Sequence, residues 1–272
     1  MLRGGISLFR RTILVPSEIA SDTIMSGVRK GNLQIYKLIP LGILAGIFIS
    51  IGALTSAVIK TSFPDAEMHI ASLIGALSFT IGIVLVVIAG GELFTGNMLM
   101  FMAVMDKQIT IKKLLRNWFF VYILNFLGAL LVVWISDLSG VFSQPLAEAL
   151  GSTAEQKANL EFIPALFRGI GCNILVCLSV WICTSAKDTM GKMVASSFPV
   201  TVFILLGFEH CIANMFFFSA AAAAGAELSI SNIIFNNMIP VTIGNIIGGV
   251  LVAILYFFSY VFKERQFWDD DK

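Results

Sequence analysis

Hydrophobic positions in this chain run in long uninterrupted blocks, not in the alternation of a strand or the half-apolar stripe of a soluble helix. Apolar segments lie near Leu38–Val58, Ile70–Gly90, Leu115–Ile135, Phe162–Thr184, Met193–Gly207 continuing through Ala213–Ala223, and Ile233–Phe262. Most reach the ~20 residues that cross a bilayer as a helix, so six spans are expected. Ahead of them, Pro16 to Lys30 reads as a short amphipathic helix. Pro16 suits a first turn, and Ile19, Ile24 and Val28 form an apolar stripe opposite Glu18, Asp22 and Arg29. Its expected place is the cytoplasmic surface, with a loose tail as the alternative.

Two blocks are broken by polar residues. In the second span, Gly91-Glu92-Leu93-Phe94-Thr95-Gly96-Asn97 sets a carboxylate, a hydroxyl and an amide among apolar neighbours. In the fifth, Gly207-Phe208-Glu209-His210-Cys211-Ile212-Ala213-Asn214 repeats the Glu-x4-Asn skeleton. Hydrocarbon offers such groups no partner, so each break is expected to face protein or a wet cavity. Paired broken helices point to a pore or substrate site at the membrane midplane.

A wider repeat runs through the chain. Asn117, Asn125 and Gly128 in the third span recur as Asn237, Asn245 and Gly248 in the sixth, 120 residues on, and the two Glu-x4-Asn breaks lie 117 apart. Three spans per half make an inverted repeat, two three-helix units that enter the membrane in opposite senses with broken helices 2 and 5.

Charge then orients the spans. Fifteen of the eighteen lysines and arginines fall on one side, from Arg3, Arg10 and Arg11 through Lys187 and Lys192 to Lys263, Arg265 and Lys272. Lys60 and Lys157 occupy the opposite loops, and Arg168 lies in the fourth span. By the positive-inside rule both termini are cytoplasmic. The expected organisation is an N-terminal segment over 1–36, a channel domain over 37–262 and a tail over 263–272. Met1 to Lys37 is polar and basic, and no signal peptide is expected there.

Composition agrees. The 272 residues are 57% hydrophobic and 13% charged, against the ~25% charged of soluble domains. A net charge of +1, partitioned between loops, gives no reason to expect a nucleic-acid partner. Cys172, Cys177, Cys183 and Cys211 all sit in apolar segments and read as packing residues, so neither disulfides nor a metal site is expected.

Three stretches carry a family resemblance. Ala89-Gly90-Gly91-Glu92-Leu93-Phe94-Thr95-Gly96 and Gly169-Ile170-Gly171-Cys172-Asn173-Ile174-Leu175-Val176-Cys177-Leu178 resemble the two signature segments of the formate/nitrite transporter family. Gly207 to Met215 is similar to its central histidine segment, and the match covers essentially the whole chain. Ser179, where the family usually has alanine, is a minor packing departure. The resemblance implies an all-α membrane protein with an aquaporin-like fold, a homopentamer with one pore per protomer. It implies constricting and pore-lining roles for Phe79, Ile83, Leu93, Phe94, Thr95 and Phe203. It places the vestibule lysine at Lys157, the pore asparagine at Asn173 and the central histidine at His210.

Physical chemistry gives these residues work of their own. Moving a small anion into a dry constriction costs on the order of 20 kcal/mol by ideal Born transfer, less after relaxation. Apolar rings, Leu93 with Phe203 and Phe79 with Ile83, are therefore expected to stop the bare anion but not the neutral acid. Lys157 would attract the anion. His210, whose ordinary pKa of ~6.5 is nearest working pH, would protonate it or hold it through Nε2 opposite the Thr95 hydroxyl. Glu92 and Glu209 are expected to begin the half-helices by accepting their orphan N–H groups, and Asn97, Asn214 and Asn173 to satisfy freed backbone. Arg168 either adds to the vestibule's positive potential or snorkels to the interface. His69, in the outer approach of the second span, reads as an ordinary structural histidine. An intramembrane hydrolase is disfavoured, because neighbours such as His210 and Cys211 point about 100° apart on a helix.

The reading is a transporter, not an enzyme, for small monovalent weak-acid anions across the inner membrane. Its partners are protons, the lipid bilayer and copies of itself, and it takes no cofactor. Formate comes first, on Ile174 after Asn173 and on Met215-Phe216-Phe217; nitrite and hydrosulfide are rivals within the family. A neutral-solute pore and a membrane anchor are the rivals outside it.

Overall fold

The protein is described from a computed structural model over residues 13–63 and 67–262. The tail expected over 263–272 and the basic residues Arg3, Arg10 and Arg11 lie outside the described residues. Within them the chain is helical, with one isolated bridge between Ile13 and Ala186.

Among the described residues ten helices follow in order: α1 Pro16–Gly31, α2 Ile35–Thr61, α3 Met68–Gly90, α4 Gly96–Met105, α5 Ile111–Leu138, α6 Gln144–Ala158, α7 Phe162–Ser185, α8 Thr189–Leu205, α9 Cys211–Ala223 and α10 Ile230–Tyr260. Five of them, α2, α3, α5, α7 and α10, are long and apolar enough to cross a bilayer. The fifth expected span, broken as the polar residues implied, is divided into α8 and α9, each shorter than a crossing.

Both interruptions are built alike. Gly90 (φ +94°) ends α3 and Gly207 (φ +64°) follows α8, each two residues before a glutamate. A side chain at either position would be strained in that left-handed conformation although the space around it is open. The last turn of α3 widens over Val86–Gly90, and α4 starts as a tight 3-10 turn over Gly96–Met100. α10 also carries a widened stretch, Ile233–Met238, which includes Asn237. Such irregular turns are common at functional positions.

Glycines let the long helices touch backbone to backbone. A Cβ on Gly46 of α2 would collide with the carbonyl of Asn125 in α5, and one on Gly128 with that of Ile43. α7 and α10 are joined the same way, Gly244 against Leu166 and Gly248 against Ile170. Between apolar helices in lipid, close packing of small residues takes over the role that hydrophobic burial plays in water.

Two short helices close the ends of this frame. α1 forms where expected, with Glu18 Oε2 accepting the Val15 N–H at 2.9 Å, and it buries Ile19, Ala20, Ile24 and Gly27. That face packs on α4, so α1 is seated on the protein by its apolar stripe. α6 lies in what the hydropathy pattern left as a loop. Its buried Leu146, Leu150, Ala154 and Ala158 recur every four residues and pack it mainly on α9.

Candidate functional site

At each break a glutamate, two asparagines and a lysine form one buried polar cluster. At the first, Lys30 Nζ lies 3.1 Å from Glu92 Oε1 and donates to Asn97 Oδ1 at 2.7 Å. Asn97 Nδ2 donates to Glu92 Oε2 (2.7 Å) and to Asn117 Oδ1 (2.8 Å). At the second, Lys157 Nζ bridges both oxygens of Glu209 at 2.8 and 3.0 Å. Asn214 Nδ2 donates to Glu209 Oε2 and to Asn237 Oδ1, both at 2.7 Å. Lys30 and Lys157 stand at the ends of α1 and α6, so the two surface helices supply equivalent cations. A buried carboxylate needs such a partner, because leaving it alone costs several kcal/mol.

This corrects the capping role expected of the glutamates and of Asn97 and Asn214. Their side chains bond to one another and to lysine, not to the orphan N–H groups of the half-helices. The freed backbone is held from outside the breaks. Asn125 Oδ1 accepts the Phe94 N–H at 3.0 Å, while its Nδ2 donates to the carbonyls of Glu92 (2.9 Å) and Gly42 (2.8 Å). Asn245 Oδ1 accepts from Cys211 N at 2.9 Å, and its Nδ2 donates to the carbonyls of Glu209 (3.0 Å) and Gly169 (2.8 Å). Both asparagines were visible only as marks of the repeat. Lys30 was counted as a topological charge, and nothing in its immediate sequence distinguished it.

Asn173 does serve freed backbone, donating to the carbonyls of Thr95 (3.2 Å) and Asn245 (2.6 Å). Its Oδ1 is buried without a partner among the described residues. Cys177 Sγ adds a longer contact of 3.6 Å to the Thr95 carbonyl, and all four cysteines are free and buried.

His210, not glutamate, caps a half-helix. Its Nδ1 accepts the Ala213 N–H at 3.1 Å, and its Nε2 lies 2.9 Å from Thr95 Oγ1. A backbone N–H can only donate, so Nδ1 carries no proton and the neutral ring carries it on Nε2, donating to Thr95. Thr95 is 0% exposed and His210 3%, so their contact is sealed from solvent. Phe203 lies nearly parallel to the imidazole at 6.0 Å, and Phe79 meets Phe203 edge to face at 6.0 Å.

Two cavities approach this contact from opposite ends of α2. One of about 420 Å3 is lined by Arg29, Lys30, Glu92, Ile83, Leu93 and Gly96, among others. The other, about 300 Å3, is lined by Lys60, Lys157, Arg168, Phe79, Phe203, Glu209 and His210, among others. Gly96, next to Thr95 in the chain, lines the first cavity, and His210 lines the second, while Thr95 itself lines neither. The apolar pairs sort differently from expectation: Phe79 with Phe203 on the Lys157 side, Ile83 with Leu93 on the Lys30 side. Helix rotation decides which residues meet, and sequence order does not carry it. Phe94 lines neither and packs edge to face on Tyr122 at 4.9 Å. Lys157, expected to attract the anion, borders its cavity and is paired with Glu209, a partner the sequence did not indicate.

Long apolar helices, two breaks held open by buried polar clusters and a cavity at each break define a multi-pass membrane protein with the architecture of a transport protein. The sequence profile described as "Formate/nitrite transporter" matches residues 17–259. The chain is 41% identical over 255 residues to an uncharacterized transporter, YrhG, of Bacillus subtilis (strain 168), covering 92% of this chain and 95% of that one. It is 36% identical to the formate channel BtFdhC of Bacillus thuringiensis, covering 90% and 95%. It is 35% identical to the formate channel FocA of Escherichia coli (strain K12), covering 92% and 95%. A solved structure titled a pentameric formate channel with formate bound superposes with a TM-score of 0.72 at 36% identity, over 84% of this chain and 98% of that one. An FNT family ion channel shares the fold, with a TM-score of 0.83 at 22% identity over 89% and 99%. The chain belongs to the formate/nitrite transporter family.

Proposed function

We propose that this protein carries small monovalent anions of weak acids, formate first, through a pore that runs between the two cavities past Thr95 and His210. The observation that carries the reading is the sealed 2.9 Å contact between His210 Nε2 and Thr95 Oγ1, with apolar residues on either side. A bare anion meets a barrier of many kcal/mol at Phe79, Phe203, Leu93 and Ile83. The neutral acid does not, and His210, once it has taken up a second proton, can pass that proton to the anion and return to the neutral ring. Asn173 holds the backbone of this constriction by donating to the Thr95 carbonyl at 3.2 Å. The relatives named formate channels favour formate over nitrite and hydrosulfide.

In this reading the chain crosses the membrane six times, α3 with α4 and α8 with α9 each forming one broken crossing. Two three-helix units of opposite sense build an aquaporin-like pore. Both termini face the cytoplasm of the inner membrane, which puts the Lys30 cavity inside and the Lys157 cavity outside. Five protomers assemble, as in the pentameric formate channel it resembles, and in this reading each has its own pore.

Uptake of formate against nitrite into proteoliposomes, with an imposed pH gradient, tests this for wild type and His210→Asn. Asparagine keeps the helix cap through its side-chain oxygen but cannot supply a proton near neutral pH. Acid outside is expected to accelerate wild-type uptake and to leave the variant's rate unchanged. Identical pH profiles for the two proteins remove His210 from proton coupling, and flux of neutral solutes alone makes the pore an aquaporin type.

A further inference from the structure

The Lys157 cavity holds three cations and one carboxylate, and the pairing within it is uneven. Lys157 is committed to Glu209 through two hydrogen bonds, and Glu209 has no further charge to offer. Lys60 and Arg168 also line the cavity, and neither meets a carboxylate among the described residues. The field that a solute meets on entering therefore comes from these two. Their positions are built. Lys60 closes the last turn of α2, and its alkyl stem crosses Gly75 of α3, where a Cβ would come within 3.1 Å of Cε and 3.2 Å of Cγ. The stem thus packs closely over Gly75, and the ammonium it carries lines the cavity. Arg168 stands on α7 opposite, and its carbonyl accepts the Glu209 N–H at 3.3 Å, so it is registered directly on the break that presents His210.

We propose that Lys60 and Arg168 form an anion-capture site at the mouth of this cavity, recognising small carboxylates and other oxyanions ahead of the His210 constriction. The inference rests on the transport reading and assigns to these two residues the attraction that the sequence pattern placed on Lys157. Capture by net charge focused in a cleft raises the encounter rate with an anion and fades as salt screens it over a Debye length of about 8 Å at physiological strength. Two exposed cations also suit a dianion. A dicarboxylate such as oxalate is held at the mouth and meets a higher barrier beyond it, so it blocks instead of passing.

The test is initial formate influx from the Lys157 side in oriented proteoliposomes, for wild type, Lys60→Gln, Arg168→Gln, the double variant and Lys60→Arg. At low ionic strength the double variant is expected to raise the half-saturating concentration about tenfold while the maximal rate stays within about twofold. The gap narrows in high salt, Lys60→Arg behaves as wild type, and oxalate inhibits wild type far more than the double variant. An unchanged half-saturating concentration, or a defect that persists undiminished in high salt, overturns the capture site while leaving transport intact. A wild type that passes neither formate nor nitrite overturns the transport reading and this inference together.

Discussion

Asn125 and Asn245 make the same three hydrogen bonds at the two helix breaks. Each accepts the N–H two residues beyond the glutamate, and each donates to that glutamate's carbonyl and to a carbonyl of a long neighbouring helix. One side chain thus satisfies the two backbone groups of the break that lipid would leave bare and ties them to a carbonyl of a neighbouring helix.

Asn125→Ala and Asn245→Ala each orphan an N–H and a carbonyl of the break, while the Gly42 and Gly169 carbonyls keep the bonds of their own helices. Unsatisfied buried groups cost about 1–3 kcal/mol, and bonds inside membrane proteins measure toward the low end, so a loss of about 1–3 kcal/mol per variant is expected. Thermal unfolding in detergent should show similar drops for the two. An unaffected midpoint for either would mean that water, not the amide, holds that break.

Much of this was legible in the sequence, for identifiable reasons. The spans showed because lipid demands long apolar blocks, and the breaks showed because Glu92 and Glu209 have no business in such blocks without partners. Asn125 and Asn245 stood out as repeat marks, yet what they hold depends on which helix lies beside them. α6 was missed because four small or apolar residues on one face do not reach the composition of a span. The pairing of Phe79 with Phe203 depends on helix rotation, which an all-apolar helix does not record.

Lys157→Gln removes the cation beside Glu209, whose side chain is 5% exposed. A carboxylate stranded in this way costs about 3–5 kcal/mol. Lys30→Gln should cost less, since Lys30 is 27% exposed against 17% for Lys157. Adding Glu209→Gln to Lys157→Gln is expected to recover much of the stability, and unfolding midpoints of the single and double variants give the coupling. Additive losses would deny the pair a joint role.

Thr95→Val keeps the shape of residue 95 but gives His210 Nε2–H no acceptor. Formate influx should fall about tenfold, the equivalent of one lost bond of about 1.4 kcal/mol at the barrier, while Thr95→Ser stays near wild type. Equal rates for valine and serine would mean that the hydroxyl is only packing.

Gly46→Ala, Gly128→Ala and Gly248→Ala drive a methyl into a facing carbonyl. Overpacking of this kind costs about 1–3 kcal/mol, more where backbone must move. Gly151→Ala, whose added methyl would lie 3.5 Å from Ala226 Cβ, is the matched control and should unfold as wild type does. Wild-type midpoints for all four would show that the long helices slide apart freely.

The hydrogen bond from Ala213 N–H to His210 Nδ1 makes charging the ring a mechanical event. An imidazolium bears hydrogen on both nitrogens, so a second proton can lodge there only after the first turn of α9 lets go. Electrical state and helix fastening are one variable at this spot: a ring that becomes charged must loosen its own mooring, and the mooring re-forms only when the ring is neutral again.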